Sequence, residues 1–235
     1  QYVSAYGDLK ILKSLTDYTI NRHYPDIKSS NNPPLSFLKA VMEKQIELIT
    51  NWMRVGFIHG VMNTDNMAIS GETIDYGPCA FMNTYDPNTV FSSIDHQGRY
   101  AYANQPNIAQ WNLVCLAKTL LSFFSQNESE AIQIAQDVIR SFTDLYDSKW
   151  LNMMRCKLGL FGADSLDKEL IFDLLDWMKT ENVDFTNTFY DLTYQESLVG
   201  DAYATQTFNQ WHQRWKKRLN QNQKNSADSL QLMKQ

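Results

Sequence analysis

Three residues in one short stretch could do polar chemistry together. Asp65 and Asn66 close the segment "HGVMNTDN" (59–66), and Asp75 lies in "TIDYG" (73–77). Between them "SGE" (70–72) has the composition of a tight turn, flanked by the short apolar runs "MAIS" and "TIDY", with a third such run, "FIHGV" (57–61), ahead of them. A small hairpin over these runs would bring Asn66 and Asp75 side by side. An amide oxygen and a carboxylate facing one space suit a hard divalent cation, because Mg²⁺ takes one or two protein oxygens and completes its shell with phosphate and water. Gly77 frees the backbone after Asp75 to turn sharply. Taken singly, Asp65, Asn66 and Asp75 read first as turn formers or caps. Their grouping, with His-Gly before and Gly-Pro after, favours a site.

The elements that must hold this stretch are helical. Leu9, Leu12, Leu15, Tyr18 and Arg22 recur near a 3.6-residue period and predict a first helix. In "PPLSFLKAVMEKQIELITNWMRVG" the residues Leu38, Val41, Met42, Ile46, Ile49, Trp52 and Met53 form one apolar stripe. Asn32 can cap this helix, Pro33 or Pro34 suits its first turn, and Gly56 stops it. Residues 78–105 read as irregular, and helical patterns return over 107–125, 129–147, 166–180 and 205–222. The expected fold is mainly α with a small β-hairpin insert at 57–77, occupying residues 1–225, followed by a polar tail at 226–235.

Bulk properties narrow the function. The chain of 235 residues is 43% hydrophobic and 20% charged, as ordinary globular proteins are. Its net charge of −5 argues against nucleic acid as the main partner. Its apolar runs are too short and too interrupted to span a bilayer, so no membrane partner is expected. Cys79, Cys115 and Cys156 have neither disulfide nor metal spacing and suit a reducing, cytoplasmic setting. The chain does not begin with Met and has no signal-peptide layout, so it reads as a piece of a longer protein. The basic stretch "WHQRWKKRLNQNQKN" (211–225) reads as a solvated helix face ahead of a nucleic-acid patch. His59 is expected as an architectural core residue, and His23, His96 and His212 as surface or capping residues.

The segment "HGVMNTDN" resembles a kinase catalytic loop, His-x-Asp-x-x-x-x-Asn, with Val61 where that loop carries its aspartate. The resemblance becomes specific over a longer span. "GFIHGVMNTDNMAISGETIDYGPCAFM" and "DHQGRYAYANQPNIAQWNL" are similar to the selenoprotein O (SelO/YdiU) family, kinase-fold proteins once classed as pseudokinases, and "SLTDYTINRHYPDI" (14–27) resembles the family segment ahead of the catalytic helix. The similarity runs over most of residues 6–125. It implies a kinase-like C-terminal lobe and an ATP- and Mg²⁺- or Mn²⁺-dependent protein adenylyltransferase. Such an enzyme moves AMP from ATP to Ser, Thr or Tyr hydroxyls of partner proteins.

Carried over by position, Asp65 would be the general base, Asn66 and Asp75 the metal ligands, and Asp75 would also face the nucleotide phosphates. The family's location would be cytoplasmic, or mitochondrial in a eukaryote. Asp95, Arg99 and Tyr100 fall where a substrate-side segment runs in a kinase-like layout; Arg99 reads equally as a buried ion-pair anchor. The family's glycine-rich loop and phosphate-binding lysine have no counterpart in this chain, nor does its redox-active C-terminal tail, so the chain alone is expected to fold but not to turn over. Two other readings stand beside this one. A kinase-like phosphotransferase would normally keep an aspartate where Val61 sits, and a catalytically silent helical scaffold would bind only a partner.

Overall fold

The computed structural model describes residues 2–5, 7–195, 198–221 and 226–234. Contacts divide the chain into two compact units, one of residues 1–49, 61–77 and 104–146, the other of residues 50–60, 78–103 and 147–235. Among the described residues no helix is long and apolar enough to cross a membrane.

The first unit is helical. It holds α1 (Tyr2–Ala5), α2 (Leu9–His23), most of α3 (Pro33–Val55), α4 (Gln105–Leu120) and the first part of α5 (Glu128–Lys157). Each start has a local cause. Asp8 accepts from Lys10 N and Ile11 N at 3.0 Å each, Asn32 Oδ1 accepts from Leu35 N at 3.1 Å, and Asn127 Oδ1 accepts from Glu130 N at 3.0 Å. The predicted stripe of α3 is buried: Leu38, Val41, Met42, Ile46 and Ile49 are each at most 3% exposed, which for side chains of this size is worth roughly 1.5–3 kcal/mol apiece. Leu12, Thr16 and Ile20 of α2 and Ile108, Leu113 and Leu120 of α4 complete this core.

The second unit contains the strands. β1 (Phe57–Ile58) pairs antiparallel with β2 (Ala80–Phe81), Phe57 opposite Phe81 and Ile58 opposite Ala80. This differs from the expected hairpin of "MAIS" with "TIDY", which contributes a single bridge, Met67 to Thr73. The reason is local: Asn66 N bonds Asn63 O, Gly71 N bonds Ala68 O and Gly77 N bonds Asp75 O, so turns consume backbone groups that a ladder would need. Gly56, with φ of 71°, ends α3 as predicted.

This unit also holds the last turns of α3 and α5, together with α6 (Asp167–Thr180), α7 (Phe185–Tyr194), α8 (Gln206–Asn220) and α9 (Ser226–Met233). The indoles of Trp211 and Trp215 on α8 are buried and donate to Leu170 O and Leu158 O at 2.8 and 2.9 Å. The aromatics interleaved in the basic stretch thus serve the core, while Lys216 and Lys217 stay exposed; residues 222–225 of that stretch lie outside the described residues. His212 is no plain surface residue. It stacks on Phe208 at 5.4 Å and on Trp215 at 5.5 Å, and burial, then Lys216, lowers its pKa.

Two further expectations need correction. Residues 226–233, read as polar tail, form α9, because Met233 and Ser229 settle against Gly159, where any Cβ would meet the Met233 side chain at 3.1 Å. Arg99 is exposed, with its guanidinium 5.7 Å above the Tyr100 ring, so it is no buried anchor. Asp95 holds its segment instead, accepting from Arg99 N and Tyr100 N at 2.9 and 2.8 Å.

Candidate active-site loop

Asp65, Asn66 and Asp75 all lie in the loop 61–77 of the first unit. The Asn66 Nδ2 donates to Val61 O at 3.0 Å, and its backbone N closes a turn on Asn63 O at 2.9 Å. With the amide nitrogen committed to a carbonyl, Oδ1 is left as the acceptor of that side chain. Val61 therefore contributes through its backbone, fixing the asparagine beside Asp65. Asp65 is exposed and lines a cavity of about 310 Å³ together with Thr64, Met67 and Cys115. His59, in the second unit, is fully buried 5.3 Å from the Trp52 ring, as its architectural reading predicts.

Asp75 is exposed and adopts a left-handed backbone, φ 55°. Non-glycine residues seldom adopt this conformation, although aspartate tolerates it better than most, and it recurs at functional sites. The bridge between Met67 and Thr73 sets Asn66 and Asp75 at its same, open end. The turn at its other end is pressed onto α3: a Cβ on Gly71, φ 77°, would lie 2.9 Å from Lys44 Cβ and 3.2 Å from Lys44 O.

The donor set suits a hard cation. One amide oxygen and one carboxylate match the few protein ligands Mg²⁺ takes when phosphate oxygens supply the rest. Among the described residues no three His, Cys, Asp or Glu side chains gather as a metal cage. A cation held here would therefore rely on the nucleotide for most of its shell.

The sequence reading missed the residues that hold the loop. Gln45 Nε2 on α3 donates to Ala68 O at 2.7 Å, Asn112 Nδ2 on α4 donates to Met62 O at 2.9 Å, and the Tyr24 hydroxyl donates to Ile69 O. A signal existed for Gln45. It is the polar residue inside the apolar stripe, one turn from both Met42 and Ile49.

A carboxylate beside a tethered asparagine, with a second aspartate across a short bridge, offers the residue types that nucleotide-dependent group transfer uses. Comparison with known proteins names the class more closely. The family model for protein adenylyltransferase SelO matches residues 2–235, and the chain belongs to that family. It is 53% identical over 234 residues to the protein nucleotidyltransferase YdiU of Alcanivorax borkumensis, covering 100% of this chain and 48% of that protein. It is 56% identical over 233 residues to the YdiU of Nitrosococcus oceani, covering 99% and 47%. With the YdiU of Pelagibacter ubique it shares 54% identity over 219 residues, covering 93% and 45%. The chain thus spans about half the length of the curated relatives it matches.

Proposed function

We propose that the protein carrying this chain is an ATP-dependent protein adenylyltransferase, and that residues 61–77 form the metal- and base-bearing part of its site on a kinase-like C-terminal lobe. The observation that carries this reading is the Asn66–Val61 tether. It places a fixed amide oxygen next to Asp65 in a chain that belongs to the SelO family. Asn66 and Asp75 would hold Mg²⁺, or Mn²⁺, which supplies charge neutralisation at the phosphates. Asp65 accepts the proton of an attacking Ser, Thr or Tyr hydroxyl on a partner protein. The hydroxyl oxygen bonds the α-phosphorus, the bond to the α–β bridging oxygen breaks, and pyrophosphate leaves. Val61 cannot serve as base, so the carboxylate at 65 takes over the role that position 61 plays in an ordinary kinase loop. Free thiols at Cys79, Cys115 and Cys156 fit work in a reducing cytoplasm.

The test is a pair of incubations of the full-length protein with ATP labelled at the α or the γ phosphate. Label retained on acceptor protein from the α position alone supports AMP transfer. Transfer of the γ label would replace the reading with a phosphotransferase, and no transfer of either would leave a binding scaffold. Asp65→Asn should lower transfer by roughly 10²–10⁴-fold, the range for a lost general base.

A further inference from the structure

The loop that carries Asp65 and Asn66 is gripped on both sides by side-chain amides, one buried and one half-buried. Upstream, Asn112 Nδ2 bonds Met62 O at 2.9 Å and also Ile108 O at 3.0 Å of its own helix. Downstream, Gln45 Nε2 bonds Ala68 O at 2.7 Å. The residues between these two carbonyls, 63–67, include both Asp65 and Asn66. Gln45 is 4% exposed, and it and Asn112 line the same cavity as Asp65.

Each amide gives its nitrogen to the chain, while its oxygen, Gln45 Oε1 or Asn112 Oδ1, is buried and meets no protein donor among the described residues. For stability alone this is a poor arrangement. An apolar side chain of the same length would fill the space without burying an unmatched acceptor, and would lose only one bond, to the carbonyl of a half-buried residue. What the amide adds is a directional hold on one loop carbonyl.

We propose that Gln45, acting with Asn112, is a positioning residue that fixes the loop 63–67 and thereby the carboxylate of Asp65 and the amide oxygen of Asn66. The catalytic part of this inference rests on the adenylyltransferase reading; the mechanical part does not. Gln45 touches no reacting atom in this scheme. It acts through Ala68, from the face of α3 that packs beneath the loop.

The experiment compares full-length wild-type protein with Gln45→Met and Gln45→Glu. Hydrogen–deuterium exchange is read first, independently of activity. In Gln45→Met the amides of residues 63–67 should exchange roughly tenfold faster, the effect of one lost hydrogen bond of ordinary net strength, while the thermal midpoint falls by only ~2–4 °C. Transfer of α-labelled phosphate is read second. The Gln45→Met protein should show kcat lowered on the order of 10²-fold, as small misplacements of reacting groups do, with KM for ATP within about twofold.

The Gln45→Glu protein supplies the signature that a purely structural role would not give. A protonated carboxyl can donate its O–H to Ala68 O, whereas an ionised one repels that oxygen. Its activity relative to wild type should therefore rise as the pH falls. Unchanged loop exchange in Gln45→Met, or a kcat loss that tracks a fallen thermal midpoint with no pH rescue in Gln45→Glu, overturns the positioning role. A wild-type protein that transfers no α label, but whose Gln45→Met variant still shows fast loop exchange, overturns the adenylyltransferase reading and leaves the loop clamp standing.

Discussion

Removing the carboxylate of Asp167 should cost the second unit as much as truncating a large core side chain. Asp167 begins α6 and is 0% exposed, between two arginines that are themselves mostly buried, Arg155 at 14% and Arg218 at 10%. Arg155 Nε reaches Oδ2 at 2.6 Å, Arg218 Nε reaches Oδ1 at 2.8 Å, and Asp164 N adds a bond to Oδ2 at 2.9 Å. Burial alone would raise its pKa. The bonds from Arg218, Asp164 and Arg155 outweigh that and hold the carboxyl below its ordinary 3.8. Asp167→Ala leaves two guanidiniums without their shared counter-charge, a change that costs about 3–5 kcal/mol in comparable buried pairs. Arg218 keeps Phe161 O at 3.1 Å, so the lower half of that range is expected. In a chain of this size the thermal midpoint should fall by about 6–16 °C.

Thermal and denaturant unfolding of Asp167→Ala beside wild type measure it. A loss under about 1 kcal/mol would show that the triad is solvated and that the burial argument fails. The pH sign follows from the same geometry. The folded state binds the proton less readily than the unfolded chain, so the contribution of Asp167 is complete above the unfolded value of 3.8 and is lost as pH falls through the lower folded value.

Other outcomes can be measured on the same molecule. Lys157 is half-buried, donates to Arg54 O and sits 4.0 Å from the Phe189 ring centroid; desolvation, then Arg54, lowers its pKa from 10.5 to about 7. The unfolded chain therefore binds more protons than the folded one between those values, and stability should rise with pH across that window by up to ~1.4 kcal/mol per unit. Lys157→Met should flatten that rise in denaturant melts at pH 7 and pH 9. Gly71→Ala should cost ~1 kcal/mol or more, from the left-handed backbone and the clash with Lys44, read as a shift in denaturant midpoint. Asp75→Ala and Asn66→Ala in the full-length protein should each weaken Mn²⁺ binding in the presence of ATP, followed by electron paramagnetic resonance, with the thermal midpoint lowered by only ~2–4 °C. Unaltered Mn²⁺ affinity in both would remove the metal assignment.

Most of the longer helices were legible because their causes are local, whereas α7 (Phe185–Tyr194) was not read. The α3 stripe, the Asn32 cap, the proline in the first turn and the glycine stop are all composition at fixed spacing, and each is found in place. The strand pairing was not legible, for a physical reason, although β1 lies within the apolar run "FIHGV". "MAIS" and "TIDY" have strand composition, but four residues apiece around a glycine turn pressed against α3 leave room for one bridge. The pairing of Phe57–Ile58 with Ala80–Phe81 joins segments separated by the whole loop rather than by one tight turn, and burial of Phe57 and Ile58, 6% and 0% exposed, favours it. The helix at 226–233 escaped for a similar reason, since its anchor is Gly159, far away in sequence.

The candidate site divides the same way. Asp65, Asn66 and Asp75 announce themselves because the chemistry they suit demands particular residue types in a short span. What holds them does not, because a buried glutamine or asparagine that bonds a distant carbonyl has no period and no motif. Gln45 shows the one clue such residues leave, a polar side chain on a face whose neighbours are all apolar. Burying it costs desolvation unless it is bonded, so its place in the stripe already implies a partner. Asn112 sits on α4 between Ala109 and Leu113, both nearly fully buried, and obeys the same rule. In a helix that packs against a functional loop, the polar interruptions of the apolar face are therefore the places to look for the groups that set the loop's geometry, and the catalytic motif itself is the wrong place to look for them.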